Sequence, residues 1–326
     1  MCICGTKIQN IGKMVELKDY IEELNRLEDL DCACVIYKGA THYLLENNHS
    51  NMLHGVRSLS KLVVSLCVGI LLDKQQEFGV ELALDTTVWT FIKNHASANG
   101  DNHSLLEKVK IIDLLNQTTG FSDETLMFRS TIDFNNADSL MDVVVNSPIT
   151  YMPGEQFVYS NASAYILSCF VQEITGYRLD EFARKYLFEP LGIEEFEWDI
   201  YGKFCAGASG LKLSFNSFRK IVELIRSNYV HRVSKIISFD YIRYFVEEQK
   251  MIKGNRYLTA PMEPIAYGLL VYRSKANFIY VNGAGGQLFV YDPDKDIIVL
   301  VFSHMQHSTE LANLTYDFIK KCKKET

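Results

Sequence analysis

What the chain lacks narrows the field first. Its longest apolar run, Leu62 to Leu72, is interrupted by Ser65 and is too short to span a bilayer. The opening stretch Met1-Cys2-Ile3-Cys4-Gly5-Thr6-Lys7 has no apolar segment of the kind a secretory signal requires, so the expected location is the cytoplasm. No basic run or patch is visible, and the net charge is −7 with a pI near 5.7. Nucleic acid and anionic membrane are therefore not expected partners. Internal repeats, low-complexity runs and linkers are also missing, which argues against solenoids and beads-on-a-string architectures.

Cysteine is present but in an unhelpful arrangement for metal. The eight are Cys2, Cys4, Cys32, Cys34, Cys67, Cys169, Cys205 and Cys322. The two Cys-x-Cys pairs are tighter than the usual structural-zinc spacing, and alternate positions on a strand point to opposite faces. Cys67 and Cys169 lie within apolar stretches and read as small core residues. No metal, disulfide or cofactor is expected.

What remains is a chain of 326 residues, 48% hydrophobic and 22% charged, enough for one large soluble domain or two modest ones. One stretch organises it: Arg57-Ser58-Leu59-Ser60-Lys61 followed by Leu62 to Leu72. The spacing predicts a helix that is apolar nearly all the way round, hence buried. A lysine in such a helix is costly unless it is paired. Ser58, Lys61 and Ser65 share one stripe, whereas Ser60 points elsewhere, because i and i+1 do not face each other. A hydroxyl, an amine and the anion-favouring end of a helix are the parts of an activated nucleophile. The bare Ser-x-x-Lys motif is weak, and the chain contains a second copy at Ser217-Phe218-Arg219-Lys220. There the apolar face is Phe218, Ile221, Val222 and Ile225, so Lys220 reads as a solvated surface lysine and Ser217 as a cap or first-turn residue.

The remaining elements follow by periodicity. Residues 15–30 read as an amphipathic helix, and residues 32–46 as a hairpin about Lys38-Gly39. Residues 80–200 read as mostly helical, with helices at 108–117, 138–146, 162–175 and 179–187. Helices are expected at 216–226 and 239–250, then strands in GLLVYR, NFIYVNG, GQLFVYD and DIIVLVFSH, and a closing helix at about 310–321. Strands at both ends with helices between them predict an α+β fold. One antiparallel sheet is built from residues 1–56 and 200–326, and residues 57–199 form an inserted helical region.

Two further segments carry possible chemistry. Tyr159-Ser160-Asn161 follows Pro153-Gly154 and precedes a helix, where a tyrosine can shuttle protons and Asn161 can equally be a helix cap. Gly283-Ala284-Gly285-Gly286-Gln287 lies between two strands, where glycines either let a ligand approach the backbone or simply make the turn.

Taken in order, Ser58-x-x-Lys61, Pro153-Gly154-x-x-Phe157-x-Tyr159-Ser160-Asn161 and the late glycine-rich turn resemble the serine β-lactamase and penicillin-binding protein superfamily. The resemblance is nearer to the class C β-lactamase-like branch, with its esterases, D-aminopeptidases and 6-aminohexanoate-dimer hydrolases. It runs over nearly the whole chain, through Ile111-Ile-Asp-Leu-Leu-Asn-Gln-Thr-Thr-Gly-Phe121, Glu189-Pro-Leu-Gly-Ile193 and Ala208-Ser-Gly-Leu-Lys-Leu-Ser214. It implies a β-lactamase/transpeptidase-like fold. It implies Ser58 as the acylated nucleophile, Lys61 as its base, Tyr159 as proton relay and Asn161 as a hydrogen-bond partner of substrate and lysine. The oxyanion hole would be the backbone N–H of Ser58 and of Gln287. The third motif departs from the family: where Lys-Thr-Gly or His-x-Gly is usual, this chain has Ala284-Gly285-Gly286. The side chain that would hold a substrate carboxylate is missing, which turns the expectation from lactams and D-Ala-D-Ala towards small esters or amides. Competing readings are a D-amino-acid peptidase or weak β-lactamase, and a non-catalytic ligand or partner binder.

Overall fold

The computed structural model describes residues 15–46, 50–95, 103–121, 140–247, 250–251 and 261–324. Burial explains the strands. Ile297–Ser303 and Gln287–Asp292 are buried at every position, and Leu30–Tyr37 is buried from Cys32 to Ile36. Strands without an alternating polar face need cover on both sides. Here they form the middle of an antiparallel sheet, eight-stranded among the described residues. Its order is Ala40–Glu46, Leu30–Tyr37, Ile297–Ser303, Gln287–Asp292, Ile279–Gly283, Val271–Ser274, Pro264–Gly268 and Lys250–Met251. The first and last thirds of the chain thus meet in one sheet, where Leu30–Tyr37 pairs with Ile297–Ser303.

Helices supply the cover. Val15–Leu24 packs on Thr309–Lys324, with Tyr20 stacked on Phe318 at 4.3 Å and its hydroxyl 2.8 Å from Thr315 Oγ1. Phe215–His231 sets Phe215 and Phe218 against Phe302 of the sheet, at 5.3 and 5.7 Å between rings. Arg226 of that helix makes a two-pronged ion pair to Asp296, at 2.7 and 2.5 Å, in the turn before the last strand.

The central helix is Ser60–Lys74, buried without interruption from Ser60 to Leu71. An apolar girdle of this kind has no surface face to spare. Gly69 lies where the helix meets Ile237 and Tyr241. A side chain there would put its first carbon 2.6 Å from the Tyr241 ring and 2.8 Å from Ile237. Tyr241 in turn donates to Ser65 O at 2.8 Å. The buried Ser65 of the polar stripe therefore serves packing, through Tyr241.

Several boundaries differ from the expected ones, each for a local reason. The first helix stops at Leu24 rather than at residue 30, because residues 25–29 turn and Asp29 takes a left-handed conformation (φ 59°) before the strand. The segment GLLVYR is not one strand. It splits into Pro264–Gly268 and Val271–Ser274 about a two-residue turn at Leu269-Leu270, with φ of 49° and 64°. Leucine rarely accepts that conformation. Here both leucines are fully buried, and their amides are held by the helical region, Leu269 N–H by Asn116 Oδ1 (3.3 Å) and Leu270 N–H by Leu115 O (2.8 Å). Residues 179–187 begin as an α-helix, Leu179–Ala183, but widen into π-turns over Arg184–Phe188. The helix read at 108–117 is confined to Ile111–Leu115, and that at 239–250 to Phe239–Glu247. The expected helix at 138–146 is Leu140–Val145, its first residues lying outside the described ones.

Gly69→Val is expected to destabilise the fold by about 1–3 kcal/mol, the usual cost of overpacking a tight core. Urea denaturation checks this; an unchanged midpoint would show that the helix and Tyr241 can part freely.

Candidate active site

The nucleophile turn is tighter than the helix that follows it. Arg57–Leu59 is a 3₁₀ turn, and the α-helix starts only at Ser60. In a 3₁₀ turn residues three apart eclipse one another, which brings Ser58 under Lys61. Arg57 enters it in a left-handed conformation (φ 53°), uncommon for a residue with a long side chain. The turn is pinned from outside as well: Val56 N–H donates to Leu211 O at 2.9 Å. Ser60 Oγ donates to Arg57 O at 2.6 Å, so the neighbouring hydroxyl is occupied by the backbone.

Lys61 is 1% exposed, yet it forms no ion pair among the described residues. Its Nζ instead meets three neutral oxygens: Asn161 Oδ1 at 2.9 Å, Ala208 O at 3.1 Å and Ser58 Oγ at 3.3 Å. They come from three separate segments of chain. Asn161 occupies the N-cap position of the helix Ala162–Thr175 but makes no capping bond with its side chain. Ser160 does the capping, its Oγ accepting from Ala162 N–H at 3.0 Å, which leaves the Asn161 amide oxygen for Lys61. Ala208 belongs to a loop held close to the same helix. Gly207 takes φ 70°, and a side chain there would put its first carbon 2.5 Å from Ala164 O.

Tyr159 lines a cavity of about 330 Å³ and sits with its ring centroid 5.0 Å from Lys61 Nζ. Tyr272 stacks on it at 6.2 Å and Tyr267 meets it edge-on at 6.2 Å. Its loop is held by Gln117, a residue to which sequence reasoning gave no role. Gln117 O accepts from Val158 N–H at 3.0 Å, its side-chain oxygen accepts from Ser160 N–H, and its Nε2 donates to Tyr267 Oη at 3.2 Å. The backbone on both sides of Tyr159 is thereby tied to one residue, once through its main chain and once through its side chain. Burial pushes the Tyr267 phenol well above its ordinary range, and proximity to Tyr159 adds to this, so Tyr267 stays protonated as a hydrogen-bond partner.

The third motif sits differently from the expectation. The strand residue that meets the nucleophile turn is Gly283, where a side-chain carbon would lie 3.2 Å from Ser58 N and 3.1 Å from Arg57 Cβ. A side chain at that approach would require its neighbours to give by a few tenths of an ångström. Gln287 lies opposite Gly283 in the hairpin. Its side chain is spent on the turn and the last strand: Nε2 donates to Gly285 O (3.2 Å) and Ser303 O (2.5 Å), and Oε1 accepts from Ser303 N–H (3.3 Å). Gly285 and Gly286, with φ of 81° and 78°, make the reversal, and exposed Ala284 lines the same cavity as Tyr159 and Gly283. The next amide along this strand after Gly283 is that of Ala284. The cavity is otherwise lined by Tyr272, Tyr280, Met262, prolines and small polar residues, and no charged side chain borders it among the described residues.

The second Ser-x-x-Lys behaves as a surface feature. Ser217 N–H is capped by Ser214 Oγ at 3.1 Å, and exposed Lys220 reaches Gly192 O at 2.6 Å. Cys34, Cys67, Cys169 and Cys205 are free and buried, Cys32 and Cys322 are buried as well, and burial pushes the Cys34 thiol up to about 12, which removes it as a nucleophile. Cys2 and Cys4 lie outside the described residues. No helix among the described residues is long and apolar enough to cross a membrane.

Comparison with known proteins agrees with this geometry. A "Putative D-alanyl-D-alanine carboxypeptidase" of Salmonella schwarzengrund (strain CVM19633) is 25% identical over 118 residues. That match covers 35% of this chain and only 27% of the relative's length. Among solved structures, a "Putative 6-aminohexanoate-dimer hydrolase" from Bacillus anthracis superposes with a TM-score of 0.74 at 17% identity, covering 98% of this chain and 87% of its own. EstCE1, described as a hydrolase with promiscuous acyltransferase activity, superposes at 0.73 and 13% identity, covering 94% and 98%. At such identities these two establish the fold. A sequence model of the Beta-lactamase family matches residues 31–215, more than half of the chain. The chain thus belongs to the Beta-lactamase family, within the superfamily of serine β-lactamases and penicillin-binding proteins.

Proposed function

We propose that this protein is a serine hydrolase that cleaves a small neutral ester or amide through an acyl-enzyme on Ser58. The observation that carries the reading is the buried Lys61 without a carboxylate partner. A structural lysine at that depth would need an opposite charge, whereas this one is hydrogen-bonded by neutral oxygens only. Two of them, Asn161 Oδ1 and Ala208 O, accept N–H bonds from the amine. The third direction of Nζ then points at Ser58 Oγ, as a base must.

In the proposed reaction Ser58 Oγ attacks the acyl carbonyl carbon while its proton passes to Lys61 Nζ. The carbonyl oxygen becomes an oxyanion held by Ser58 N–H and Ala284 N–H. Collapse breaks the bond to the leaving alcohol or amine, which takes its proton from Tyr159 Oη, with Lys61 returning a proton to the tyrosine. Water then attacks the acyl-Ser58 carbonyl along the same path and regenerates the serine. The similarity to a hydrolase with acyltransferase activity fits an intermediate that can be intercepted by acceptors other than water.

The uncharged cavity favours neutral substrates over the peptidase or β-lactamase alternative. Arg57 does not border the cavity, and a side chain on Gly55 would meet its Nε at 4.0 Å.

Two measurements test it. A fluorophosphonate should label Ser58 and no other serine by peptide mapping; label on Ser60 or Ser217 would refute the assignment. Short-chain p-nitrophenyl esters should be turned over with a higher kcat/KM than D-amino-acid amides or a chromogenic cephalosporin. Ala284→Lys should move that ratio roughly 10- to 100-fold towards carboxylate-bearing substrates, the value of one charge-assisted hydrogen bond of about 1.5–3 kcal/mol. A wild type that already prefers the carboxylate, or a ratio unmoved by the added cation, would show that another residue holds that end of the substrate.

A further inference from the structure

Behind the nucleophile turn, three ligand-bearing side chains from separate parts of the chain converge. Asp31 opens the first sheet strand, His54 lies in the short strand His54–Gly55, and His304 directly follows the last sheet strand. Asp31 Oδ2 stands 3.2 Å from His304 Nε2 and 3.8 Å from His54 Nδ1. The three ligand atoms all lie within 4.8 Å of one another, and the two imidazoles are 4.6 Å apart between ring centres. Asp31 and His54 are half-buried, His304 is exposed, and all three border a cavity of about 370 Å³.

The geometry points to a binding site for one divalent zinc-class ion on Asp31, His54 and His304. With metal–nitrogen and metal–oxygen bonds of about 2.0–2.2 Å, tetrahedral ligand atoms stand roughly 3.3–3.5 Å apart. The observed 3.2 and 3.8 Å bracket that spacing. Two imidazoles and one carboxylate are a donor set that suits zinc and its neighbours rather than calcium or magnesium. Arg57 opposes the ion, but it is exposed and screened. Three protein ligands leave a further coordination position open to the cavity.

No cysteine takes part, so cysteine spacing does not reveal this site. These ligands are 23 and 250 residues apart, and only the pairing of the first and last sheet strands brings Asp31 and His304 together. The ion would join both strands to the segment leading into Ser58.

The test uses the full chain, stripped with EDTA and titrated with zinc alone against a chromogenic chelator. The wild type should bind one equivalent that is lost, or weakened at least about tenfold, in His304→Ala and in Asp31→Asn. His304 is 71% exposed at its side chain, so its removal leaves the fold intact. Cobalt in place of zinc should give visible bands without a thiolate charge-transfer band. No binding, titrations identical in wild type and both variants, or a thiolate band that persists in the variants would overturn the assignment.

Discussion

A lysine amine placed in an apolar helix must be satisfied where it stands, and this demand shapes the protein around it. Lys61 is surrounded by Leu62, Val63, Val64 and Leu66, all with no measurable exposure. Leaving such a group without partners costs several kcal/mol. The three oxygens that meet it belong to the nucleophile turn, the Tyr159–Asn161 loop and the Gly207–Ala208 loop. Each segment has to be held to within a few tenths of an ångström for all three bonds to form. The same contacts set the Ser58 hydroxyl against the Lys61 amine, with the Tyr159 ring centroid 5.0 Å from that amine. The requirement of a buried amine and the requirement of a nucleophile are met by one set of contacts.

Close backbone approach is the second condition. Gly283 lets a sheet strand touch the amide of Ser58, and Gly207 lets the Ala208 carbonyl reach over the helix Ala162–Thr175 to Lys61. A methyl group would collide with backbone at Gly207 and would crowd the Ser58 turn at Gly283. Gln117 does for the tyrosine loop what the glycines do for the others, by replacing missing backbone partners with a side-chain amide. The Leu269-Leu270 turn extends the logic, since the helical region holds a conformation that leucine would not adopt alone.

Much of this was legible in the chain. Period and turn chemistry located the sheet strands and the buried helix, because their signals are local. The contrast between Lys61 in an apolar run and Lys220 on an amphipathic face separated the two Ser-x-x-Lys motifs before any coordinates were needed. What escaped was whatever depends on a distant partner. Ala208 acts through its carbonyl, which no residue type advertises. Gln117 reads as an ordinary helix-end residue until its loop is seen. The sequence motif is read at Ala284-Gly285-Gly286, whereas the residue that comes against the Ser58 amide is Gly283, because glycine runs align ambiguously when only their order is known. GLLVYR reads as one strand because nothing in Leu269-Leu270 announces a turn that only tertiary hydrogen bonds enforce. Asp31, His54 and His304 carry no shared motif at all.

The account stands or falls on Lys61 as the group that takes the Ser58 proton. Pre-steady-state acylation by a p-nitrophenyl ester, measured beside the melting temperature, isolates that step in Lys61→Ala. Loss of a positioned general base should slow acylation by roughly 10²–10⁴-fold while the variant still melts cooperatively. Acylation within a few-fold of wild type, on a folded Lys61→Ala protein, would contradict it and leave the lysine as a packing element.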